Sequence, residues 1–481
     1  MEVELKLLVV DHADRLGGSE LLPDKGKAVR QRSTYFDTAD RALSTAGVSL
    51  RIRQAGTDRT QTVKSSATSS VGLFSRQEWE KPADGDLPRI DGETPVADLV
   101  EPSQPLMRVF QVDVTRRIWN IRADDSQIEA VLDRGDISSG DRRTPVCELE
   151  LELKSGKAAP LFDLARKLDA MAPLRLAVLS KAERGHRLTQ AQRGSIKAKT
   201  VPLSRDMTAA EALQAILQDC LAQFRLNEDL LLDSRAPEPL HQARVALRRM
   251  RSAFSIFKPL LGADQARDLR DRLGRLSKEL GQARDLDVLM QRADPGPLRD
   301  RILREREAAY DHVTEVLQRP ETRALMLDLV EWLNCGPWLT ESTIADQRAQ
   351  PARDFAAGAL RRFRRKVKKK GRHLANLDDA ARHELRKDAK KLRYATGFFK
   401  DLFDGKKERS RQKAFIGALK KVQDKLGALN DLATAPQLLD RLGLSGDSDS
   451  AVLLARGRKK SLLSKAESSH RDLIDARRYW K

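Results

Sequence analysis

Two periods divide the chain. In the first part, apolar and polar positions alternate over short runs. Met1–Val10 sets Val3, Leu5 and Leu7 against Glu2, Glu4 and Lys6. The same alternation recurs over Val48–Arg53, Ser75–Glu80, Phe110–Ile121, Ile128–Leu132 and Cys147–Lys154. A period of two predicts strands. Polar stretches rich in Gly, Asp, Pro and Ser, such as Lys81–Gly92 and Ser138–Pro145, are expected as loops between them. Leu161–Met171 and Lys181–Gln192 carry helical spacing. Many antiparallel strands with a few helices make the expected class of this part α+β. Beyond residue 200 the period becomes helical, with few β-branched runs, and an all-α region is expected.

The charged residues among the strands sharpen this picture. Side chains two apart on a strand share a face. Glu2, Glu4 and Lys6 therefore line one face, as do Glu148, Glu150 and Glu152, with Lys154 after them. Arg51 and Arg53 share a face, and so do Glu78 and Glu80. One such strand is ordinary for a half-exposed sheet. Several, with opposite signs on different strands, predict a closed antiparallel barrel with a charged interior. Glu2, Glu4, Glu148 and Glu150 suit a hard divalent cation such as Mg²⁺, which takes one or two carboxylates plus phosphate oxygens and water. Arg51, Arg53, Lys64, Arg76 and one of Arg116 or Arg117 suit phosphate, Arg in bidentate fashion. Alternation leaves that last choice open, because Asp113, Thr115 and Arg117 share the polar face. Surface ion pairs, or a barrel that binds an anion without chemistry, are the plainer alternatives.

The helical part contains an internal repeat. Leu240–Gly262 and Arg382–Asp404 align at an offset of 142: His241 with His383, Arg244 with Arg386, Arg248 with Lys390, Arg251 with Arg393, and Phe257 with Phe399. A second block follows each, with Leu280, Gly281, Asp285 and Leu286 matching Leu426, Gly427, Asp431 and Leu432 at an offset of 146. The four extra residues are expected as a loop insertion in Gly405–Lys413. A duplicated helical bundle is predicted. His241, Arg244, Arg248 and Arg251 fall on one helix face, and His383, Arg386, Lys390 and Arg393 repeat it. Two such stripes facing each other would make a basic channel for a linear polyanion. Arg361–His373 is a further basic run, either part of that surface or a solvated helix.

Charge and composition support this division. Residues 1–200 hold 32 Lys and Arg against 30 Asp and Glu, and residues 201–481 hold 57 against 40, so the net +19 sits almost wholly in the helical part. A polyanionic partner belongs there. Nucleic acid is the rival polyanion; with aromatics at 5% of the chain, no stacking platform accompanies the stripes, although backbone-only binding to a duplex stays open. At 481 residues two or three domains are expected. Cys147, Cys220 and Cys335 have neither disulfide nor zinc-ligand spacing and fit a reducing, cytoplasmic setting. No apolar run is long enough to span a bilayer and the start does not read as a signal peptide, so no membrane partner is expected. No P-loop, dinucleotide fingerprint or nucleophile elbow is legible.

Taken together, the motifs resemble a known combination. EVELK at Glu2–Lys6 is similar to the ExExK signature of the CYTH, or triphosphate tunnel metalloenzyme, superfamily. YFDT (Tyr35–Thr38), SLRIR (Ser49–Arg53), TVK ending at Lys64, RQEWE (Arg76–Glu80), TRRIW (Thr115–Trp119), CELELELKSG (Cys147–Gly156) and SKAERG (Ser180–Gly185) follow in order. HQARVALRRMR and HELRKDAKKLRY, with LGQARDLDV and LGALNDLAT, resemble the CHAD domain, a duplicated helical module named for its histidines. The resemblance implies a CYTH tunnel over residues 1–195 and a CHAD module over 200–481, as in bacterial CYTH–CHAD inorganic triphosphatases. It implies Glu2, Glu4, Glu148, Glu150 and Glu152 as metal-binding carboxylates for Mg²⁺ or Mn²⁺, with two of the last three left unresolved. Lys6 matches the signature lysine, which contacts phosphate or positions the attacking water. Arg51, Arg53, Lys64, Arg76, Arg116 and Lys181 match basic tunnel positions, so the family pattern favours Arg116 over Arg117. The two C-terminal stripes match positions through which CHAD modules bind inorganic polyphosphate. The implied function is metal-dependent hydrolysis of inorganic triphosphate to pyrophosphate and phosphate. The alternatives are a non-catalytic polyphosphate-binding or granule-associated adaptor and, ranked lower, a nucleotide-cyclising or thiamine-triphosphate-cleaving tunnel.

Overall fold

The computed structural model describes residues 2–23, 26–65, 71–101, 103–190, 194–261, 263–441, 443 and 459–480; for Glu2, Arg76, Ala263 and residues 434, 435, 437, 438 and 441 it describes the backbone alone. The chain divides into two compact units, Met1–Gly194 with Arg319–Gly336, and Ser195–Gln318 with Pro337–Lys481. The strands are β1 Glu2–Val9, β2 Lys27–Asp37, β3 Val48–Ala55, β4 Asp58–Ser65, β5 Leu73–Arg76, β6 Glu78–Pro82, β7 Met107–Ala123, β8 Ser126–Ser139, β9 Arg142–Ser155 and β10 Leu174–Leu176. The helices are α1 Ala42–Thr45, α2 Ala159–Asp169, α3 Lys181–Leu188, α4 Ala209–Ser234, α5 Pro237–Ile256, α6 Ala263–Glu279, α7 Gly281–Met290, α8 Pro297–Gln318, α9 Pro320–Cys335, α10 Ala345–Ala349, α11 Ala352–Lys370, α12 Asp379–Phe398, α13 Lys406–Arg441 and a last helix, Lys459–Asp475. Among the described residues no helix is long and apolar enough to cross a membrane.

The first unit is a curled antiparallel sheet in the order β10-β1-β9-β8-β7-β2-β3-β4-β6, with β5 paired to β1. The alternation on β1 has two buried faces. Leu5, Leu7 and Val9 are covered on one side, and Glu4 and Lys6 are equally buried on the other, so the charged face is not the solvent face. Helix α2 buries Leu161, Phe162, Leu164, Ala165 and Leu168, an apolar stripe that covers the sheet. Helix α9, far along the chain, also packs here: Arg166 of α2 reaches Asp328 at 2.9 Å and also pairs with Glu331, and Arg323 meets Asp169 at 2.7 Å. Nothing in the periodicity of α9 announces that placement.

Two expectations change. The single strand over Ser75–Glu80 is broken at Gln77: β5 pairs with β1, whereas β6 pairs with β4. Ser138–Pro145 is not a long loop, because β8 and β9 run through it to a two-residue turn at Gly140 and Asp141. Gly140 has φ of +55° there, a left-handed conformation that favours glycine. Strands β2 and β4 escape a period-two search because both carry polar residues on both faces.

The repeat is visible in local structure. Helices α5 and α12 are both 20 residues long, begin and end 142 residues apart, and run into short 3₁₀ turns, Lys258–Leu260 and Lys400–Leu402. The starts of α4 and α11 exchange backbone hydrogen bonds: Ala209 N–H donates to Gln350 and Ala352 N–H donates to Met207, each at 2.8 Å. Most of Gly405–Lys413 is helix rather than loop. Three of the four extra residues fall inside α13, which begins at Lys406, 143 residues after the start of α6 at Ala263, and lengthen it by a little under one turn.

Candidate functional site

Register builds the first site. On neighbouring strands β1, β9 and β8, Glu4 pairs with Glu152 and Glu152 with Glu129. One row further along, Lys6 pairs with Glu150, and beyond it Glu148, Asp133 and Arg116 stand in line across β9, β8 and β7. On the other wall Tyr35, Arg51, Thr62 and Glu80 are in register, next to Ser49, Lys64 and Glu78. These faces enclose a cavity of about 270 Å³ lined by six carboxylates (Glu4, Glu78, Glu80, Glu129, Glu150, Glu152) and seven bases (Lys6, Arg51, Arg53, Lys64, Arg116, Lys154, Lys181).

Helix α3 delivers Lys181. Ser180 and Glu183 form a capping box at its start, which fixes where the helix begins. Gly185 lets it press against the sheet, since a Cβ there would lie 2.1 Å from the Phe110 ring. Lys181 then reaches Asp133 and Glu150, each at 2.8 Å. Lys6 bridges Glu4 at 2.9 Å and Glu150, and Arg116 holds Asp133 at 2.7 Å. Arg53 meets Glu80 at 2.9 Å, Lys64 meets Glu78 at 3.1 Å, and Lys154 meets Glu152 at 2.7 Å. Tyr35 accepts from Arg51 at 3.3 Å and stacks on Phe110.

The electrostatics separate the roles these groups can play. Burial alone would push the Lys6 ammonium toward neutrality, but Glu150 and Glu4 outweigh it and raise its pKa above the usual lysine value. Lys181 is raised in the same way against burial, by Asp133, Glu148 and Glu150. Both are therefore hydrogen-bond donors at neutral pH, not proton acceptors. Burial pushes Glu150 up, yet Lys181, Lys6 and Arg116 hold it well below the carboxylate range. Glu148 goes the other way: burial raises it, and Lys181 only partly opposes.

The expected residues fall out as follows. Glu4, Lys6, Arg51, Arg53, Lys64, Arg116, Glu150, Glu152 and Lys181 are brought together around the cavity. Arg116 shares its strand face with the inward Val112 and Val114, whereas Arg117 is exposed on the outer face, where Asp113 takes Arg30 and Arg32. Glu148 is the correction. It is fully buried beside Lys181 and Arg184 and does not line the cavity. The side chains of Glu2 and Arg76 lie outside the described residues. Asp133 and Glu129 were not expected; both share the β8 face that points at Glu148 and Glu152 across β9, and only register reveals that. Glu78 and Glu80 were legible as a shared face, but not as partners of Lys64 and Arg53.

Among the described residues no three acidic or His/Cys side chains converge into a ready-made metal cage. The row Glu4–Glu152–Glu129 still fits a hard cation chemically, since all its donors are carboxylate oxygens and such ions complete their shell with phosphate and water.

Asp133 is completely buried and depends on Arg116 and Lys181. Arg116→Met should therefore cost roughly 3–5 kcal/mol by leaving a buried charge with half its partners. Denaturant unfolding measures this, and Asp133→Asn added to Arg116→Met should restore part of the loss. An additive double mutant would contradict the coupling.

In the second unit the two stripes do not act independently. Arg248 of α5 reaches Tyr394 of α12 at 3.5 Å. Lys390 is lowered to about 8, first by burial and then by Arg386 and Arg248; Arg244 is lowered to about 10, first by burial and then by Arg248. Arg386 is lowered by burial and by Arg248, with Asp431 opposing. The cations of both helices thus crowd one region. The repeat extends to their neighbours: Arg284 pushes His241 down, after burial, while the matching Asn430 lies 2.9 Å from His383 Nδ1. Arg251 packs along Gly274 and Arg393 donates to Gln423 at 3.1 Å. Among the described residues, buried Arg244 Nε and Arg386 Nε find no hydrogen-bond partner. This is a surface of donors short of acceptors.

A polyanion bound here favours the charged form of Lys390. Between about pH 8 and the ordinary lysine value near 10.5, the empty site holds this lysine largely neutral. Binding in that window should take up a proton, and affinity should fall as pH rises, by up to about tenfold per pH unit per proton. Calorimetry near pH 8.5 in two buffers of different ionisation heat measures the uptake; zero uptake contradicts it.

The first unit thus carries a cavity of mixed charge on a curled sheet, and the second a crowded cationic surface on α5 and α12. Residues 1–186 match the CYTH domain family and residues 215–440 match the CHAD domain family. The chain joins a CYTH domain to a CHAD domain. An inorganic triphosphatase from Haemophilus influenzae is 34% identical over 168 residues, which cover 33% of this chain and 46% of that protein; the match thus spans about half the length of this relative. The crystal structure of the CHAD domain from the plant Ricinus communis is similar with 28% identity, 59% of this chain, 97% of that chain and a TM-score of 0.50. A Hippeastrum protein described as an adenylyl cyclase with a dominant triphosphatase activity aligns over 39% of this chain and 96% of its own, at 20% identity and a TM-score of 0.30, too slight a likeness to carry an argument.

Proposed function

We propose that the first unit is a closed tunnel that hydrolyses inorganic triphosphate with a divalent metal, and that the second binds inorganic polyphosphate. The observation that carries the first half is the lining itself, seven bases against six carboxylates around one cavity. Near neutrality, such a lining does not by itself balance a multiply charged triphosphate, and a divalent cation would add the missing charge. Closure is supported by β5 and β6, which stand one residue apart and pair with β1 and β4 at opposite ends of the strand order.

Glu4, Glu152 and Glu129, with Glu2, would hold the cation, whether Mg²⁺ or Mn²⁺; its chemistry is to neutralise charge on phosphoryl oxygens. Arg51, Arg53 and Lys64 grip the chain from one wall, and Arg116, Lys181 and Lys6 from the other. Water attacks the terminal phosphorus, the bridging P–O bond breaks, and pyrophosphate leaves. The reaction needs mainly positioning and charge stabilisation, and that is what fixed, fully protonated Lys6 and Lys181 supply. Asp133 and Glu148 act through the bases they hold. The sequence similarity to an inorganic triphosphatase supports the substrate.

In the second unit, His241, Arg244, Arg248 and Arg251 with His383, Arg386, Lys390 and Arg393 form the polyphosphate surface. The coupling of Arg248 to Arg386 and Lys390 supports this. Cytoplasmic location and association with polyphosphate granules belong to the same proposal. Phosphate release from triphosphate, longer polyphosphate, thiamine triphosphate and ATP, each with Mg²⁺ or Mn²⁺, tests the substrate choice. Triphosphate should turn over fastest; faster release from ATP or thiamine triphosphate would refute it.

A further inference from the structure

A second group of cations lies apart from the stripes of α5 and α12. The basic run Arg361–His373 sits on and after α11, and it does not all face solvent. Arg364 lines a cavity of about 430 Å³ together with Arg411 of α13 and Arg477 and Arg478 of the C-terminal segment, with Asp475 as the acidic member. Arg478 also lines a neighbouring cavity of about 220 Å³ with Arg353, Arg361 and Trp480, and with Asp354 as its acidic member. Arg478 is thus common to the lining of both cavities.

The donors there outnumber the acceptors. Arg353 is occupied by Glu408 at 2.6 Å, and Arg364 spends one nitrogen on the Ile474 carbonyl. Among the described residues Arg364 Nε and Trp480 Nε1 are buried and find no hydrogen-bond partner, and Trp480 is only 2% exposed. A buried N–H without an acceptor is costly, and two of them beside clustered guanidiniums ask for an acceptor-rich anion. Arg364 is held below the usual arginine value, first by burial and then by Arg478, with Asp475 opposing, as expected where cations outnumber their counter-charges.

We propose that α11, α13 and the Ala476–Trp480 segment form a second phosphoanion site, with one phosphoryl group in each cavity and Arg478 between them. The bidentate geometry of Arg suits phosphoryl oxygens. Two adjacent cavities suit two linked phosphoryl groups, which pyrophosphate, a polyphosphate end and a nucleoside diphosphate or triphosphate share. The site has no residue in common with the tunnel or the stripes.

Calorimetric titration of the full chain with pyrophosphate tests this. Arg411→Gln combined with Arg478→Gln should remove one site from the wild-type count, or weaken it by roughly 10–100-fold, while the other sites and the melting temperature are unchanged. Arg411→Gln alone leaves Arg478 and the packed Trp480 ring in place and should weaken the same site by several-fold; it carries the decision if the double variant fails to fold. An ATP arm separates the sources: equal affinity assigns the site to phosphoryl groups alone, and tighter ATP binding assigns it to a nucleotide. Site count and affinities matching wild type for both ligands, in both variants, would overturn the proposal and leave the tunnel and the stripes unaffected.

Discussion

Reversing the charge of Arg248, Arg386 and Lys390 together should lower the affinity of the full chain for long-chain polyphosphate by roughly 10³-fold or more at low salt. Each lost cation removes a phosphate contact and its share of counterion release, so the slope of log affinity against log salt should flatten by about three. These three were chosen because they couple across α5 and α12 rather than along one helix. The same crowding carries an opposite consequence for stability. Lys390 prefers its neutral form in the empty site and is charged below about pH 8, whereas in the unfolded chain it stays charged to near 10.5. Its charge therefore destabilises the empty fold at neutral pH, and that penalty, full below about pH 8, fades as pH rises from there toward 10.5. Lys390→Met should raise the melting temperature at pH 7 by a few degrees while weakening polyphosphate binding. Polyphosphate anisotropy titrations at several salt concentrations, with melting curves, read both effects. An unchanged salt slope would remove the stripes from the binding surface.

The second large effect belongs to the sheet. Glu4→Gln with Glu152→Gln should reduce turnover of triphosphate by roughly 10³-fold, the scale seen when charge-stabilising groups are removed from a preorganised site. The two residues are direct cross-strand partners, so the double change removes the centre of the carboxylate row without altering side-chain size. Lys6 loses one of its two partners, Glu4, but keeps Glu150, so the fold should survive. Steady-state phosphate release measures the loss, and polyphosphate binding by the helical unit should be unchanged. Turnover within a few-fold of wild type would mean that the carboxylate row holds no metal.

Much of this was legible before any coordinates. Alternating charges on Glu2–Lys6 and Cys147–Lys154 pointed to a charged face, because strand geometry dictates which side chains share a side. The offset of 142 between His241 and His383 carried through to helices of equal length and equivalent ends. What alternation lacks is register. It assigned Glu148 to the same group as Glu150 and Glu152, but only the pairing of β9 with β8, and the arrival of α3, show that Glu148 lies deeper, closed off by Lys181 and Arg184. Alternation leaves the choice between Arg116 and Arg117 open, because Asp113, Thr115 and Arg117 share a polar face; that face is the outer one, and Arg116 faces inward beside two valines. Polarity alone cannot tell a solvated face from a buried charged one. The association of α9 with the sheet unit rests on ion pairs over 150 residues apart, beyond any local pattern.

The most direct test of the tunnel's proposed chemistry is ³¹P NMR of inorganic triphosphate incubated with the purified chain, with and without Mg²⁺ or Mn²⁺. With metal, the triphosphate signals should give way to pyrophosphate and phosphate in equal amounts, and with chelator they should persist. Triphosphate left intact in the presence of either metal, by a protein that still binds polyphosphate, would contradict the tunnel's proposed chemistry.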